Sequence, residues 1–305
     1  MIELLFGPLV LAAAIRLTAP ILLVAIGGSF GHKANMLNIG LESFMLSAAF
    51  FAMLGSYLTS SAWVGLVFAI ISGLLASLIF GLFVLKLKSN PVITGIAFNL
   101  AAWGFTTFLL DTLFNVRGVF VDPRIESFKN ITLPLKDFAP LLWKVFSGHN
   151  ILVYLAFLLA FIAYFVMYKT PFGLRLRGVG IKEVAAQTVG IDTYKYKWIA
   201  VIISGFIAGI AGAYLSIGGA SMFTESMSAG KGFLALAAIM VGEGNPLVVT
   251  LICLAFGYTT ALSVSLQALG IPSQMVLTFP YLFTILILVV SYIVKHIRIR
   301  KKQAA

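Results

Sequence analysis

Long apolar runs separated by short polar breaks constrain this chain more than any other feature. They fall near residues 8–29, 41–59, 62–85, 92–110, 151–168, 199–218, 232–242, 247–268 and 278–294. Hydrocarbon offers a backbone no hydrogen-bond partner, so a segment that crosses it must be a helix or part of a closed barrel. A spanning helix needs about 20 apolar residues, which most of the runs approach. The run 232–242 is too short to cross unaided. Composition agrees: 61% of residues are hydrophobic and 10% are charged, whereas soluble domains carry roughly 25% charged residues. The expected fold class is all-α, a polytopic transmembrane helix bundle of about 8–10 spans. No stretch is long or polar enough for a separate soluble domain. Residues 1–305 read as one transmembrane domain with approximate halves 1–150 and 151–305. MIELLFGPLV carries Glu3 and no basic segment, so it is expected to be an uncleaved first span. Cys253 is the only cysteine, which excludes a disulfide within the chain.

The net charge of +11 is distributed, not clustered as a nucleic-acid surface would be. Lys86 and Lys88 end one run, KHIRIRKK follows the last, and 169–198 carries Lys169, Arg175, Arg177, Lys182, Lys195 and Lys197. Short loops rich in Lys and Arg stay on the cytoplasmic side, so all three belong there. The loop 111–150 holds five Lys/Arg against four Asp/Glu and lacks that signature. Nine spans with an internal tail put the N-terminus outside. Within 169–198, Ile181, Val184, Ala185, Thr188 and Val189 form the stripe of a short amphipathic helix. Gly190 followed by Ile191 is a plausible stop for it.

Two passages interrupt the apolar pattern with small and polar residues: GHKANMLNIGLE (31–42) and GGASMFTESMSAGKGF (218–233). Placing Gly40 on Gly230 brings Ala48 and Ala49 near Ala237 and Ala238. The two runs that follow cross in opposite directions, as expected for inverted repeats whose discontinuous helices meet at a solute path.

Several chemistries find no support. There is no phosphate-binding GxxxxGK[ST] loop, and His32, His149 and His296 lack metal-ligand spacing. No nucleophile motif or carboxylate pair suggests catalysis, so neither catalytic nor metal-binding residues are expected. The spans hold almost no ionisable groups, which disfavours an ion-driven transporter. Arg16 is the exception and is expected to face the protein interior. What remains is a polar, weakly charged set: Asn35, Asn38, Glu42, Asn99, Ser221, Thr224, Glu225 and Lys231. Each suits solute contact or, equally, capping and packing. Asn99, mid-span, suits helix-to-helix bonding better than solute contact. Gly205, Gly209 and Gly212 read as a small-residue packing seam, and the 26 Phe as lipid-facing or core surface.

Motifs in order then bring a family into view. They are NIGLE from Asn38, NPVITGIAFNLAAWGFT from Asn90, FGLRLRGVG from Phe172, EVAAQTVGI from Glu183, SGFIAGIAGAYLS from Ser204 and ESMSAGKGFLALAAIMVGEGNP from Glu225. Between about Asn35 and Tyr292 the chain resembles permease subunits of bacterial ABC importers, in the branch shared by branched-chain amino acid, ribose-type sugar and nucleoside systems. It is most similar to the nucleoside permeases. One departure is GHKANM (31–36), where relatives carry an acidic–basic pair and then Ser-Gly.

The resemblance implies a multi-pass subunit of the bacterial cell membrane whose 169–198 loop docks on an ATP-binding subunit. Carried over by position, Gly173, Arg175, Arg177, Gly180, Glu183, Ala185, Ala186, Gly190 and Ile191 would form that contact. It also implies a second permease, identical or related, and an extracytoplasmic solute-binding protein. No cofactor is expected in this chain, with ATP and magnesium on the partner ATPase. The expected translocation path is Asn38, Glu42, Asn99, Ser221, Thr224, Glu225 and Lys231. A self-sufficient facilitator or a permease for simple sugars or branched-chain amino acids would use the same polar path.

Overall fold

Proline and a preceding side-chain acceptor start many of the helices. Pro fixes φ near the helical value and gives up only an N–H that a first turn leaves unpaired anyway. The computed structural model describes residues 7–132, 134, 140–267 and scattered positions between 278 and 293. Most of the expected span 278–294 therefore lies outside the described residues. The helices are α1 (Pro8–Lys33), α2 (Leu41–Thr59), α3 (Ala62–Gly81), α4 (Pro91–Phe114), α5 (Pro140–Phe146) and α6 (Ile151–Lys169). Then come α7 (Pro171–Ile181), α8 (Glu183–Thr188), α9 (Thr193–Ile217), α10 (Lys231–Val241) and α11 (Pro246–Gln267). A π-helical turn, Leu82–Lys86, extends α3. The Asn90 side chain caps α4 ahead of Pro91, Thr170 caps α7 ahead of Pro171, Asn150 caps α6 and Asp192 caps α9.

Among the described residues seven helices, α1, α2, α3 with its π turn, α4, α6, α9 and α11, are long and apolar enough to cross a membrane, and α10 is the short one the sequence marked out. α1, α2 and α9 form the centre: 72% of the apolar window in each is buried, against 22% in α4 and 33% in α3, α6 and α11. One hydrophobic core runs from Ile15 to Phe256, so both halves of the chain share it. The glycines of α9 divide their work. A Cβ on Gly205 would collide with Ser77 and the Gly73 carbonyl, and one on Gly209 would lie 2.8 Å from the Ala69 carbonyl. Both therefore let α9 touch α3, whereas Gly212 faces α2, its Cβ position 2.5 Å from the Met45 carbonyl.

His32, Lys33, Tyr168, Arg177, Gly180 and Glu243 surround one cleft at one end of the bundle. The end of α1, the α6–α9 connection and the turn after α10 therefore share that end, whose Lys and Arg excess makes it cytoplasmic. At the opposite end, β1 (Val119–Val121) pairs antiparallel with β4 (Met222–Thr224), and β2 (Asn130–Ile131) with β3 (His149–Asn150).

Two expectations shift. α1 continues through Gly31 to Lys33, so the first break is only residues 34–40 and closes the helix at Asn35, whose φ is +56°. The loop helix begins at Pro171, ten residues before Ile181, because Thr170 and Pro171 nucleate it. It breaks at Lys182, which is extended (φ −154°, ψ 97°), before α8 resumes. The stop stands where the pattern put it: Gly190 has φ +78°, its N–H bonds the Gln187 carbonyl, and the Ile191 N–H bonds that of Ala186. That pair of bonds is a Schellman cap.

Candidate functional site

Two helices begin inside the bundle, and their first turns meet. α2 follows Gly40 and α10 follows Gly230, the two positions the sequence alignment superposed. They run in opposite directions, α2 away from the basic end and α10 towards it. From Lys231 to the basic-end terminus of α10 is about 15 Å at 1.5 Å per residue, which puts the meeting point within the membrane. α1 passes beside it so closely that a Cβ on Gly28 would lie 2.6 Å from Ile239 and 2.8 Å from Leu41.

Glu42, in the first turn of α2, reaches across the gap. Its Oε1 accepts from the Gly230 N–H at 2.8 Å and its Oε2 from the Gly232 N–H at 2.5 Å. These are N–H groups that an α-helix cannot satisfy internally, and the positive end of the α10 dipole adds to their hold on a carboxylate. Lys231 follows Gly230, and its Nζ donates to the Ser228 carbonyl at 3.2 Å.

The start of α2 is held from two further sides. The Asn38 Oδ1 accepts from the Gly40 N–H at 2.9 Å, while its buried Nδ2 has no hydrogen-bond partner among the described residues. Asn99, on α4, accepts from the Ser43 N–H at 3.0 Å and donates to the Ile39 carbonyl at 3.1 Å. Asn99 thus bonds α4 to α2 through backbone alone.

The other polar candidates lie elsewhere. Asn35 sits in the exposed turn after α1. Thr224 belongs to β4, opposite Val119, and the Glu225 carboxylate accepts from the Gly118 N–H at 2.8 Å. Ser221 opens this stretch with φ +49°, and Ser226 and Ala229 also take positive φ. The segment therefore descends from the far end to Gly230 through left-handed turns, with Phe223 packed edge-on to Phe50 of α2. Glu42 and Lys231 come together, as do Asn38 and Asn99. Ser221, Thr224 and Glu225 form a separate group bound to the outer loop.

The basic-end loop also divides. Arg175, Ala185 and Gly190 are exposed, and Ile191 is half-buried. Gly173 and Ala186 are buried, and a Cβ on Gly180 would collide with the Lys33 carbonyl. Arg177 lies over the Tyr168 ring at 4.6 Å. Glu183 binds Lys197 at 2.7 Å, and that ammonium holds its carboxyl below the usual carboxylate range. The apolar stripe points outward: Ile181 is 86% exposed, Val189 73% and Val184 67%, joined by Leu174 at 65%. Sequence reasoning passed over Leu174, whose signal was an apolar residue among Arg175 and Arg177. It also passed over the Gly230 and Gly232 N–H groups, because backbone donors carry no residue-type signal.

A lipid-embedded bundle with helix starts meeting inside it and an apolar, basic surface at one end is the architecture of a transport permease. The chain belongs to the family described as branched-chain amino acid transport system / permease component, whose model matches residues 10–294. The guanosine ABC transporter permease protein NupQ of Bacillus subtilis strain 168 is 36% identical over 291 residues, covering 92% of this chain and 91% of that one. The nucleoside ABC transporter permease protein NupC of Lactococcus lactis is 32% identical with the same coverage. Among solved structures, a metal-chelate type ABC transporter in an inward-facing conformation matches with a TM-score of 0.51 and 15% identity, covering 94% of this chain and 87% of that one. At that identity the likeness concerns the fold. This is a multi-pass membrane protein, a permease subunit of an ABC importer.

Proposed function

We propose that the chain carries nucleosides inward by alternating access, driven by a separate ATPase that docks on α7 and α8. The observation that carries this reading is the apolar surface of Leu174, Ile181, Val184 and Val189, exposed outside the bilayer and flanked by Arg175 and Lys182. A soluble partner covers such a surface better than water does. ATP and magnesium then belong to that partner, and this chain makes and breaks no covalent bond. A second permease and an extracytoplasmic binding protein complete the assembly. Nucleosides are favoured because two relatives above 30% identity carry that word or guanosine in their names. Of the coupling residues expected from sequence, Arg175, Ala185, Gly190 and Ile191 are accessible for contact, while Gly173, Gly180 and Ala186 shape the loop. At the path, Glu42, Asn38, Asn99 and Lys231 hold the paired helix starts, and Ser221, Thr224 and Glu225 tie the re-entrant segment to the outer loop.

Ala185→Glu is the test, since Ala185 is exposed and the substitution leaves the bundle intact. A charge forced into a closed contact costs about 3 kcal/mol, on the order of a hundredfold in affinity. Co-purified ATPase and guanosine uptake should both fall, with the permease still inserted. Normal values for both remove the docking role. Uptake that persists after every candidate ATPase is deleted makes the chain a self-sufficient facilitator instead, and accumulation of leucine or ribose without any nucleoside moves it to another solute.

A further inference from the structure

α3 and α4 stand side by side but scarcely touch. α4 packs on α2 instead, and the space left between α3 and α4 is a cleft of about 640 Å³ floored by α2. That volume lies within the roughly 300–1,000 Å³ usual for small-molecule sites. No charged residue lines it. Four phenylalanines do, Phe51 from α2, Phe68 from α3, and Phe98 and Phe105 from α4, together with Ser43, whose hydroxyl donates to the Gly40 carbonyl, Ser47 and Ser72.

The serines are the informative part. A hydroxyl in a membrane helix ordinarily returns its proton to the carbonyl one turn back. Ser29, Thr59 and Thr106 do so at 2.7–2.8 Å. Ser47 and Ser72 have no hydrogen-bond partner among the described residues; the closed-off Thr107, Ser204 and Ser216 hydroxyls share that lack, but Ser47 and Ser72 face the cleft. A hydroxyl left open to lipid is costly. These two instead suit a space that water and a hydroxyl-bearing solute enter by turns. The absence of charge argues against a zwitterion, whose ammonium and carboxylate would find no counter-ion there.

We propose that the α2–α3–α4 cleft is the wall along which a neutral, flat-ringed, hydroxyl-bearing solute passes, with Ser47 and Ser72 bonding its hydroxyls and the phenylalanines facing its ring. The cleft is open along the side of the subunit. The proposal rests on the nucleoside-permease reading and names the surface that reading requires.

The test uses the full chain in its own cells in a Cys253→Ala background, with Ser47→Cys and Ser72→Cys made singly. Cysteine is nearly the size of serine, and membrane insertion at the unsubstituted yield with an unshifted melting temperature shows that each variant folds. A small, charged, water-soluble thiol reagent should modify both positions. Guanosine at about ten times its apparent Kd should slow modification about tenfold by mass action, and leucine should not. Leu100→Cys, on the exposed face of α4 outside the cleft, should stay unmodified. No modification at 47 and 72 in variants that fold means a lipid-filled groove and overturns the proposal alone. Modification without guanosine protection, or equal modification at Leu100→Cys, does the same. Absent guanosine uptake in the unsubstituted chain, beside uptake of leucine, overturns the functional reading and this proposal with it.

Discussion

The helix starts at Gly40 and Gly230 look alike in sequence and are held in different ways. Gly40 has φ −75°, a value any residue adopts, and its N–H is bonded by Asn38 two positions away. Gly230 has φ +77°, and the carboxylate that bonds its N–H stands 188 residues earlier. The first start is held from within its own half of the chain, by Asn38 and by Asn99 of α4; the second exists only once the two halves of the chain have met. The difference teaches that a paired break can be symmetric in place and asymmetric in what holds it. α10, with 11 residues, is also below the length at which helices persist alone.

Removing Glu42 should break the comparison most severely. Hydrogen bonds to a charged group contribute about 1.5–3 kcal/mol each, and Glu42→Ala loses two. Thermal stability of the purified protein should fall sharply, with proteolysis opening the segment before α10 while α2 holds. Glu42→Gln keeps the shape but leaves a single acceptor oxygen, so an intermediate loss is expected. Equal stability of Ala and Gln variants would mean that the bonds to Gly230 and Gly232 matter little.

Gly230→Ala against Gly40→Ala sharpens the contrast. A left-handed conformation costs a residue with a Cβ about 1–2 kcal/mol, so Gly230→Ala should melt lower. At Gly40 the added methyl meets neighbours no closer than 3.3 Å, and a small effect is expected. The reverse order would refute the distinction. Asn38→Ala should cost about 1 kcal/mol, the usual net worth of one hydrogen bond, read as faster hydrogen exchange at the start of α2 with α10 unchanged.

The smallest effect is expected at Glu183–Lys197, a charge-assisted bond like those of Glu42 but near the surface. Its carboxyl is held below the ordinary glutamate value of 4.5, chiefly by the Lys197 bond. A depressed carboxyl contributes stability above its unfolded value and loses it as pH falls through the folded one. Acidifying from neutral to below 4.5 should therefore loosen α8 by less than about 1 kcal/mol, since the glutamate is 42% exposed and its pairing is screened by water. Hydrogen exchange in α8 that does not change with pH would show that the pair adds nothing there.

Much of this was legible in sequence, and the reasons are physical. Spans announce themselves because lipid tolerates few polar residues, so the described helices fell within a few residues of the apolar runs. The Gly190–Ile191 stop was readable because a left-handed cap demands a residue type. Asn99 was readable as a helix-to-helix bond because a buried amide must find a partner. Three things were not. Glu42 looked like a capping residue for its own helix, and nothing local tells a carboxylate that it will cap another. The pairing of β1 with β4 joins two short segments without period-2 alternation. The cleft arises because α3 and α4 do not pack, and failure to pack leaves no residue pattern; its phenylalanines read as lipid-facing.

α9 has a mechanical consequence of its own. It begins at the Asp192 cap beside α8 and runs without interruption to Ile217, whose carbonyl accepts the Phe128 N–H of the outer loop at 3.0 Å, while the next carbonyl, Gly218, accepts from the Asn150 amide. Its 25 residues make a rod about 37 Å long, and a tilt of about 10° would carry one end some 6 Å relative to the other. Glycine contact with α3 and α2 along its length supplies a fulcrum. A push delivered on one side of the membrane is thereby a displacement on the other, with no change of shape between.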